Sequence, residues 1–211
     1  MTVNQERLIK EFFTLVSIDS ASREEREIVD YTKNRLSKLG CEVKEDDTGE
    51  KIGGNAGNVV ATYPGDSKAP VIMLSAHLDR VKPGKGIKPI IKDNYIISGG
   101  NTILAGDDII GVASIIEALT VLNEENIPHG NVKLIFTVAE EIGLLGAKNI
   151  NDYELKGIDY GLVYDGDGDV GTIIYKAPTK YKFNSVIKGK SAHAGMAPEN
   201  GVNAIKIASK A

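Results

Sequence analysis

Val132-Lys133-Leu134-Ile135-Phe136-Thr137-Val138-Ala139-Glu140-Glu141 is the stretch that decides the fold. From Val132 to Val138 it is almost continuously apolar, and then it gives way to two adjacent carboxylates. A short apolar run without two-residue alternation suits a strand buried on both faces of a sheet. Just upstream, Asp108 to Asn123 carries Ile109, Ile110, Val112, Ile115, Ile116, Leu119 and Leu122. They cover more than one narrow face, which predicts a helix packed deeply against that sheet. Further upstream, Val71 to Ala76 is a second apolar run, and it too ends in polar chemistry at His77-Leu78-Asp79. Asn58 to Tyr63 and Tyr160 to Tyr164 are two more such runs. Helices alternating with buried strands argue for an α/β sandwich.

The remaining text fills in around this frame. Leu8, Ile9, Phe12, Phe13, Leu15 and Val16 form a helical stripe. Ser22 and Glu25 read as a capping-box pair that opens a second helix ending at Gly40. Ile90-Ile91 and Tyr95-Ile96-Ile97 predict a hairpin turning at Asp93-Asn94. Near residue 178 the pattern changes. Tyr181, Phe183 and Ser185 alternate with Lys182, Asn184 and Val186 as a looser strand, followed by Gly189-Lys190-Ser191-Ala192-His193-Ala194-Gly195. A last helix is expected from about Asn203, with Ala204, Ile205, Ile207 and Ala208 on its apolar face. One strand and one helix cannot bury a core alone. Residues 1–178 are therefore expected to form one domain, and 179–211 the beginning of a second that is truncated or completed elsewhere.

The 211 residues are 42% hydrophobic and 26% charged, which excludes a disordered or fibrous chain. The net charge is −4, with no basic block or stripe, so no nucleic-acid partner is expected. Cys41 is the sole cysteine, which fits a reducing compartment. No signal peptide and no apolar run long enough to span a membrane is legible, so cytoplasm is the expected location and no membrane partner is expected.

Four acidic clusters sit at ends of predicted strands or starts of helices, where open α/β sheets bind ligands. In Ser75-Ala76-His77-Leu78-Asp79, strand alternation points His77 and Asp79 to the same side. Imidazole suits zinc, and a metal-bound His needs an acceptor on its other nitrogen. The plain alternative is a hydrogen-bonded His at a strand end. In Leu104-Ala105-Gly106-Asp107-Asp108 the plain alternative is helix capping, but two carboxylates exceed what one cap needs. Glu140-Glu141 closes a buried strand with two like charges, which is costly unless a cation or shared proton compensates. A solvated acidic loop is the bland reading there. Val163-Tyr164-Asp165-Gly166-Asp167-Gly168-Asp169 lacks the twelfth-position Glu of an EF-hand, so Asp165, directly after the strand, is the expected ligand. Together the clusters offer a ligand set for a hard-to-borderline dication, above all zinc.

Taken in order, the clusters resemble the M20 metallopeptidase family, and within it the tripeptide aminopeptidase (peptidase T) branch. The linking text is similar too: Lys82-Pro83-Gly84, Gly86-Ile87-Lys88-Pro89, Thr102-Ile103-Leu104, and Ser191-Ala192-His193-Ala194-Gly195 with Pro198-Glu199-Asn200-Gly201. The resemblance implies a zinc-peptidase-type three-layer α/β/α sandwich with a mixed, largely parallel sheet, followed by the start of an α+β lid domain. It implies two zinc ions, with cobalt or manganese as substitutes. His77 and Asp165 would bind one ion, Asp107 both, and Glu141 the second. Glu140 would be the general base, Asp79 would orient His77, and His193 would stabilise the oxyanion. The Asp107–Asp108 peptide would be cis. A short peptide would be the substrate, and a homodimer through the lid is the partner the resemblance carries.

Three departures stand out. Arg80 occupies a position where the branch usually has Thr. Leu104-Ala105-Gly106-Asp107 replaces Leu-Gly-Ala-Asp, a swap expected to be tolerated. The family's last zinc ligand, a His near the C-terminus, has no counterpart, and His129 reads as surface. M42 aminopeptidases share text like Glu140-Glu141-Ile142-Gly143-Leu144, but they carry a domain between the His-x-Asp and Asp-Asp segments, for which there is no room here. The other readings are an M20-type deacylase, dipeptidase or carboxypeptidase, a catalytically incomplete metal-binding fragment, and, more weakly, a phosphohydrolase.

Overall fold

In the computed structural model, residues 2–66, 68–179 and 181–210 are described. Asn4 accepts the Arg7 N–H on its side chain and opens α1, Gln5–Ser17. Helix α2, Arg26–Lys38, runs out just before Gly40, whose φ of 88° is the left-handed stop expected of a glycine. Then follow β1 (Glu42–Glu45), α3 (Thr48–Ile52), β2 (Val59–Tyr63) and β3 (Ile72–His77). The hairpin is β4 (Pro89–Lys92) and β5 (Tyr95–Ser98). Asp93 and Asn94 both take positive φ, the turn that matches strand twist. Helix α4 (Gly106–Glu124), β6 (Val132–Thr137), α5 (Leu145–Asn149), a 3-10 turn (Asp152–Leu155) and β7 (Tyr160–Val163) complete this part.

The five-stranded sheet has the order β1-β2-β6-β3-β7. Strand β2 is antiparallel to β1 and β6, whereas β3 is parallel to both β6 and β7. The sheet is therefore mixed, as expected, and its parallel part is the part that ends at the acidic clusters.

Register separates two faces. Val59, Ala61, Tyr63, Leu74, Ala76, Val132, Leu134 and Phe136 lie on one face and join a single core with Leu15, Ile28, Ile109, Val112 and Ile116 from α1, α2 and α4. Met73, Ser75, His77, Ile135 and Thr137 lie on the other. That face borders α5 and the 3-10 turn, and a pocket of about 260 Å³ remains between Met73, Ile135, Ala147, Ile150, Leu155 and Val163. Layers on both sides of a mixed sheet make the expected α/β/α sandwich.

Three expectations need correction. Strand β7 is not buried on both faces: Tyr160, Leu162 and Val163 are exposed, and among the described residues β7 is the edge of the sheet. Strand β1 and helices α3 and α5 escaped the sequence reading, being too short and too polar to leave a periodic signature. The looser strand over 181–186 does not form, since among the described residues no strand pairs with it.

The described chain falls into two units, Met1–Thr172 and Ile173–Ala211. In the second, Lys190 and Val202 exchange both backbone hydrogen bonds, Pro198–Asn200 makes a 3-10 turn, and Asn203 caps α6, Ala204–Ala208, by accepting from the Lys206 N–H. No helix among the described residues is long and apolar enough to cross a membrane.

Candidate metal centre

Because β3, β6 and β7 are parallel, their carboxyl ends share one edge. His77 is the last residue of β3, Glu140 and Glu141 follow β6, and Asp165 follows β7. Asp107 and Asp108 enter from the start of α4, where both have non-helical dihedrals and their shared peptide is cis.

His77 is buried. Its Nδ1 lies 2.9 Å from the Asp79 carbonyl oxygen, which can only accept, so Nδ1 carries the ring proton. Its Nε2 lies 2.9 Å from Asp107 Oδ1. In the neutral ring a lone pair then faces a carboxylate oxygen, and a proton or a cation must sit between them. Burial alone would lower the imidazole pKa, but the hydrogen bonds of Asp79 and Asp107 and the charges of Asp79 and Asp108 outweigh it and hold the ring up at about 10. Ligand atoms of His77, Glu140 and Asp165 lie within 4.8 Å of one another, as do those of His77, Asp107 and Glu141. Burial, then neighbouring carboxylates, pushes Glu140 and Glu141 upward. Burial likewise raises Asp108, which accepts the His77 N–H, to about 7. An imidazole lone pair amid crowded carboxylates is a donor set that fits a divalent cation. The structure thus brings together every expected ligand, His77, Asp107, Glu141 and Asp165, and puts Glu140 among them.

The support beneath this cluster was largely missed in the sequence. Four successive backbone N–H groups at the end of β6 are received by side chains. Val138 donates to Asn58 Oδ1 (3.0 Å) and Ala139 to Glu25 Oε1 (2.9 Å). Glu140 and Glu141 donate to the two oxygens of Asp79, at 2.8 and 3.2 Å. Ser22 Oγ donates to Asp79 Oδ2 at 2.6 Å. The capping-box reading is therefore corrected: Ser22 and Glu25 are drawn away from the helix start, which has no side-chain cap, to acceptors and donors under the metal centre. Asp79 also acts differently from expectation. Its backbone carbonyl touches the His77 ring, while its carboxylate, 3.6 Å from Nδ1, chiefly fixes the Glu140-Glu141 backbone. The Ser22 and Glu25 signal was legible, but nothing local said that the partners lay 57 and 114 residues away.

The departures from the family pattern have structural answers. Arg80 is buried, and its nearest hydrogen-bond partners are backbone carbonyls and a hydroxyl. Its guanidinium donates to the carbonyls of Val16 (2.8 Å), Leu15 (3.3 Å) and Ile18 (2.6 Å), and to Ser20 Oγ, closing the C-terminal end of α1. Burial lowers its pKa to about 10. Ala105 takes φ 59°, a left-handed conformation that favours the glycine the family usually has there. Gly111 is required: a Cβ would collide with the Asp108 carboxylate and approach Cβ of Tyr164.

The other two histidines belong to other parts of the chain. His129 precedes β6, at the opposite end of that strand. It is half-buried and stacks on Tyr63 with ring centroids 4.9 Å apart, rather than lying free on the surface. His193 belongs to the second unit, where its Nδ1 accepts the N–H groups of Gly195 and Met196 at 3.2 and 3.1 Å.

Comparison with known proteins bears on this arrangement. The model of peptidase family M28 matches residues 58–209. The chain belongs to that family. The sequence alone pointed to M20 and its peptidase T branch; the matching family model is that of M28, while similar proteins carry the peptidase T name. The chain is 47% identical to the uncharacterized protein YqjE of Bacillus subtilis (strain 168), over 99% of its own length and 56% of that protein's. It matches the crystal structure of aminopeptidase PepT from Bacillus cereus ATCC 10987 with a TM-score of 0.82 at 45% identity, over 99% of this chain and 56% of that one. It matches a tripeptidase from Staphylococcus aureus with a TM-score of 0.86 at 38% identity, over all of this chain and 56% of that one. This M28 chain thus spans just over half the length of the relatives it matches, with a fold like that of their shared part.

Proposed function

We propose that the protein to which this chain contributes is a metal-dependent aminopeptidase that removes the N-terminal residue from tripeptides or other short peptides. The observation that carries the reading is the convergence of His77, Asp107, Glu140, Glu141 and Asp165 on one end of the parallel strands. The names of two similar structures, an aminopeptidase and a tripeptidase, support the substrate class.

His77, Asp107, Glu141 and Asp165 would hold two divalent ions, zinc in this reading with cobalt or manganese as substitutes. When bound, such ions polarise a carbonyl and acidify a water. Glu140 would act as the general base. Burial raises its carboxyl above the ordinary carboxylate range, and a carboxylate oxygen there can take the proton of the attacking water and return it to the leaving amine. Asp79 acts as a positioning residue through the Glu140 and Glu141 amides. His193 is proposed as the oxyanion donor on its tautomer alone: Nδ1 accepts two backbone N–H groups, so the neutral ring carries its proton on Nε2. Cytoplasmic residence, a domain boundary at residue 178 and a homodimer through residues 179–211 belong to the same reading.

The test is metal per chain by elemental analysis together with release of N-terminal residues from tripeptides, in the full-length protein. Two ions with tripeptide turnover are expected, and Asp107→Ala should lose both ions and the turnover. Retention of two ions in that variant would sink the shared-ligand role. Turnover of dipeptides or acylated amino acids in place of tripeptides would move the protein to another amide-hydrolase specificity. Folded protein without metal or turnover would make it a metal-centre remnant.

A further inference from the structure

Glu25 has no part in the proposed chemistry, yet it is fully buried directly behind it. Its Oε1 accepts the Ala139 N–H at 2.9 Å, and its Oε2 has no hydrogen-bond partner among the described residues. Ala139 has φ 51°, the left-handed region, which is strained for a non-glycine residue and persists only where its surroundings hold it. Two contacts do so: Glu25 on its N–H and the Leu145 N–H on its carbonyl, at 3.0 Å. This left-handed turn redirects the chain at the end of β6, so that the next two amides, of Glu140 and Glu141, both meet the Asp79 carboxylate.

Without an acceptor at Glu25, the Ala139 N–H would be a buried, unsatisfied donor beside a strained residue. The turn would relax toward an ordinary dihedral, and Glu140, the very next residue, would move with it. Asp79 would still hold the Glu140 amide. The expected failure is therefore misaim of one carboxylate, with the metal ligands in place and the fold intact.

We propose that Glu25 is a positioning residue for Glu140, holding the Ala139 peptide in its left-handed turn so that the Glu140 carboxylate stays beside His77 and Asp165. The proposal rests on the reading of Glu140 as general base.

The experiment compares Glu25→Gln and Glu25→Met in the full-length, metal-loaded protein, with kcat normalised to folded fraction. Both side chains fill similar space, but only Gln offers an oxygen to the Ala139 N–H. Glu25→Met should lower kcat about 10- to 100-fold, the effect of a small misplacement of a reacting group, with KM within about twofold and metal content unchanged. Glu25→Gln should keep kcat within about threefold. Amide hydrogen exchange at Ala139 should quicken in the Met variant and not in the Gln variant. Equal kcat in the two variants overturns the proposal, as does a kcat loss that folded fraction or lost metal accounts for. Glu25→Asp covers the case in which the Met variant does not fold. It keeps the charge, draws the oxygen back by one methylene, and should lose about tenfold in kcat; full activity there overturns the proposal. Glu140→Gln run alongside separates the two claims: wild-type turnover in that variant defeats the base reading itself, while the exchange rates still report whether Glu25 holds the turn.

Discussion

The two faces of the central sheet are built from the same strands and have opposite fates. Alternate residues of β3 and β6, such as Leu74, Leu134 and Phe136, meet α1, α2 and α4 in a closed core. Their neighbours, Met73, Ile135 and Thr137, look onto a pocket bordered by α5 and a 3-10 turn. His77 ends β3 on that second face. Strand alternation thus assigns cohesion to one side and leaves space and chemistry on the other. Changes one residue apart should have separable consequences.

The largest expected effect tests the chemical side. Glu140→Gln in the metal-loaded, full-length protein should reduce turnover about 1,000-fold, within the range for loss of a general base, while leaving the urea midpoint and metal content nearly unchanged. A matching loss of stability would erase the contrast between the faces. Next comes the core itself. Leu134→Ala should cost about 3 kcal/mol of unfolding free energy, while Ile135→Ala should cost about half of that, because the space it vacates joins an existing pocket. Equal costs in urea titrations would mean that the second face is as tightly built as the first.

A third test uses proton linkage. Burial holds the Glu25 carboxyl up at about 7, against an ordinary value of 4.5. The folded chain then binds that proton more tightly than the unfolded chain. Between these two values, stability should fall as pH rises, by at most about 1.4 kcal/mol per pH unit. Glu25→Gln should remove that part of the slope, and an unchanged slope in denaturation at stepped pH would contradict it. The smallest effect lies within the packed side. Ala105→Gly should raise the unfolding free energy by about 0.5 kcal/mol, as release from the left-handed region outweighs the added freedom of the unfolded chain. No gain would mean that Ala105 is unstrained there.

The sequence disclosed what is local and strongly patterned. The runs at 71–76 and 132–138, the helix at 108–123 and the hairpin turn at Asp93-Asn94 each carry their cause in their own residues. The ligand cluster was also legible, because strand ends are marked by an abrupt change from apolar to acidic. What was not legible depends on partners far along the chain. Ser22 and Glu25 have the spacing of a helix cap, and no local feature shows that Asp79 and Ala139 compete for them and win. Strand β7 has the apolar text of a buried strand, yet exposure depends on what lies beside it, which its own five-residue neighbourhood does not encode.

Arg80 has a further consequence, for the order in which the molecule is assembled. Its guanidinium reaches carbonyls that lie 62 to 65 residues earlier in the chain. A 13-residue helix such as α1 is marginal in water by itself, and a cation is costly to bury before its acceptors are in place. Each partner therefore waits for the other. Arg80 follows His77 by three residues, so the contacts that close the end of α1 tie the N-terminal helix to the chain that carries the metal-binding edge.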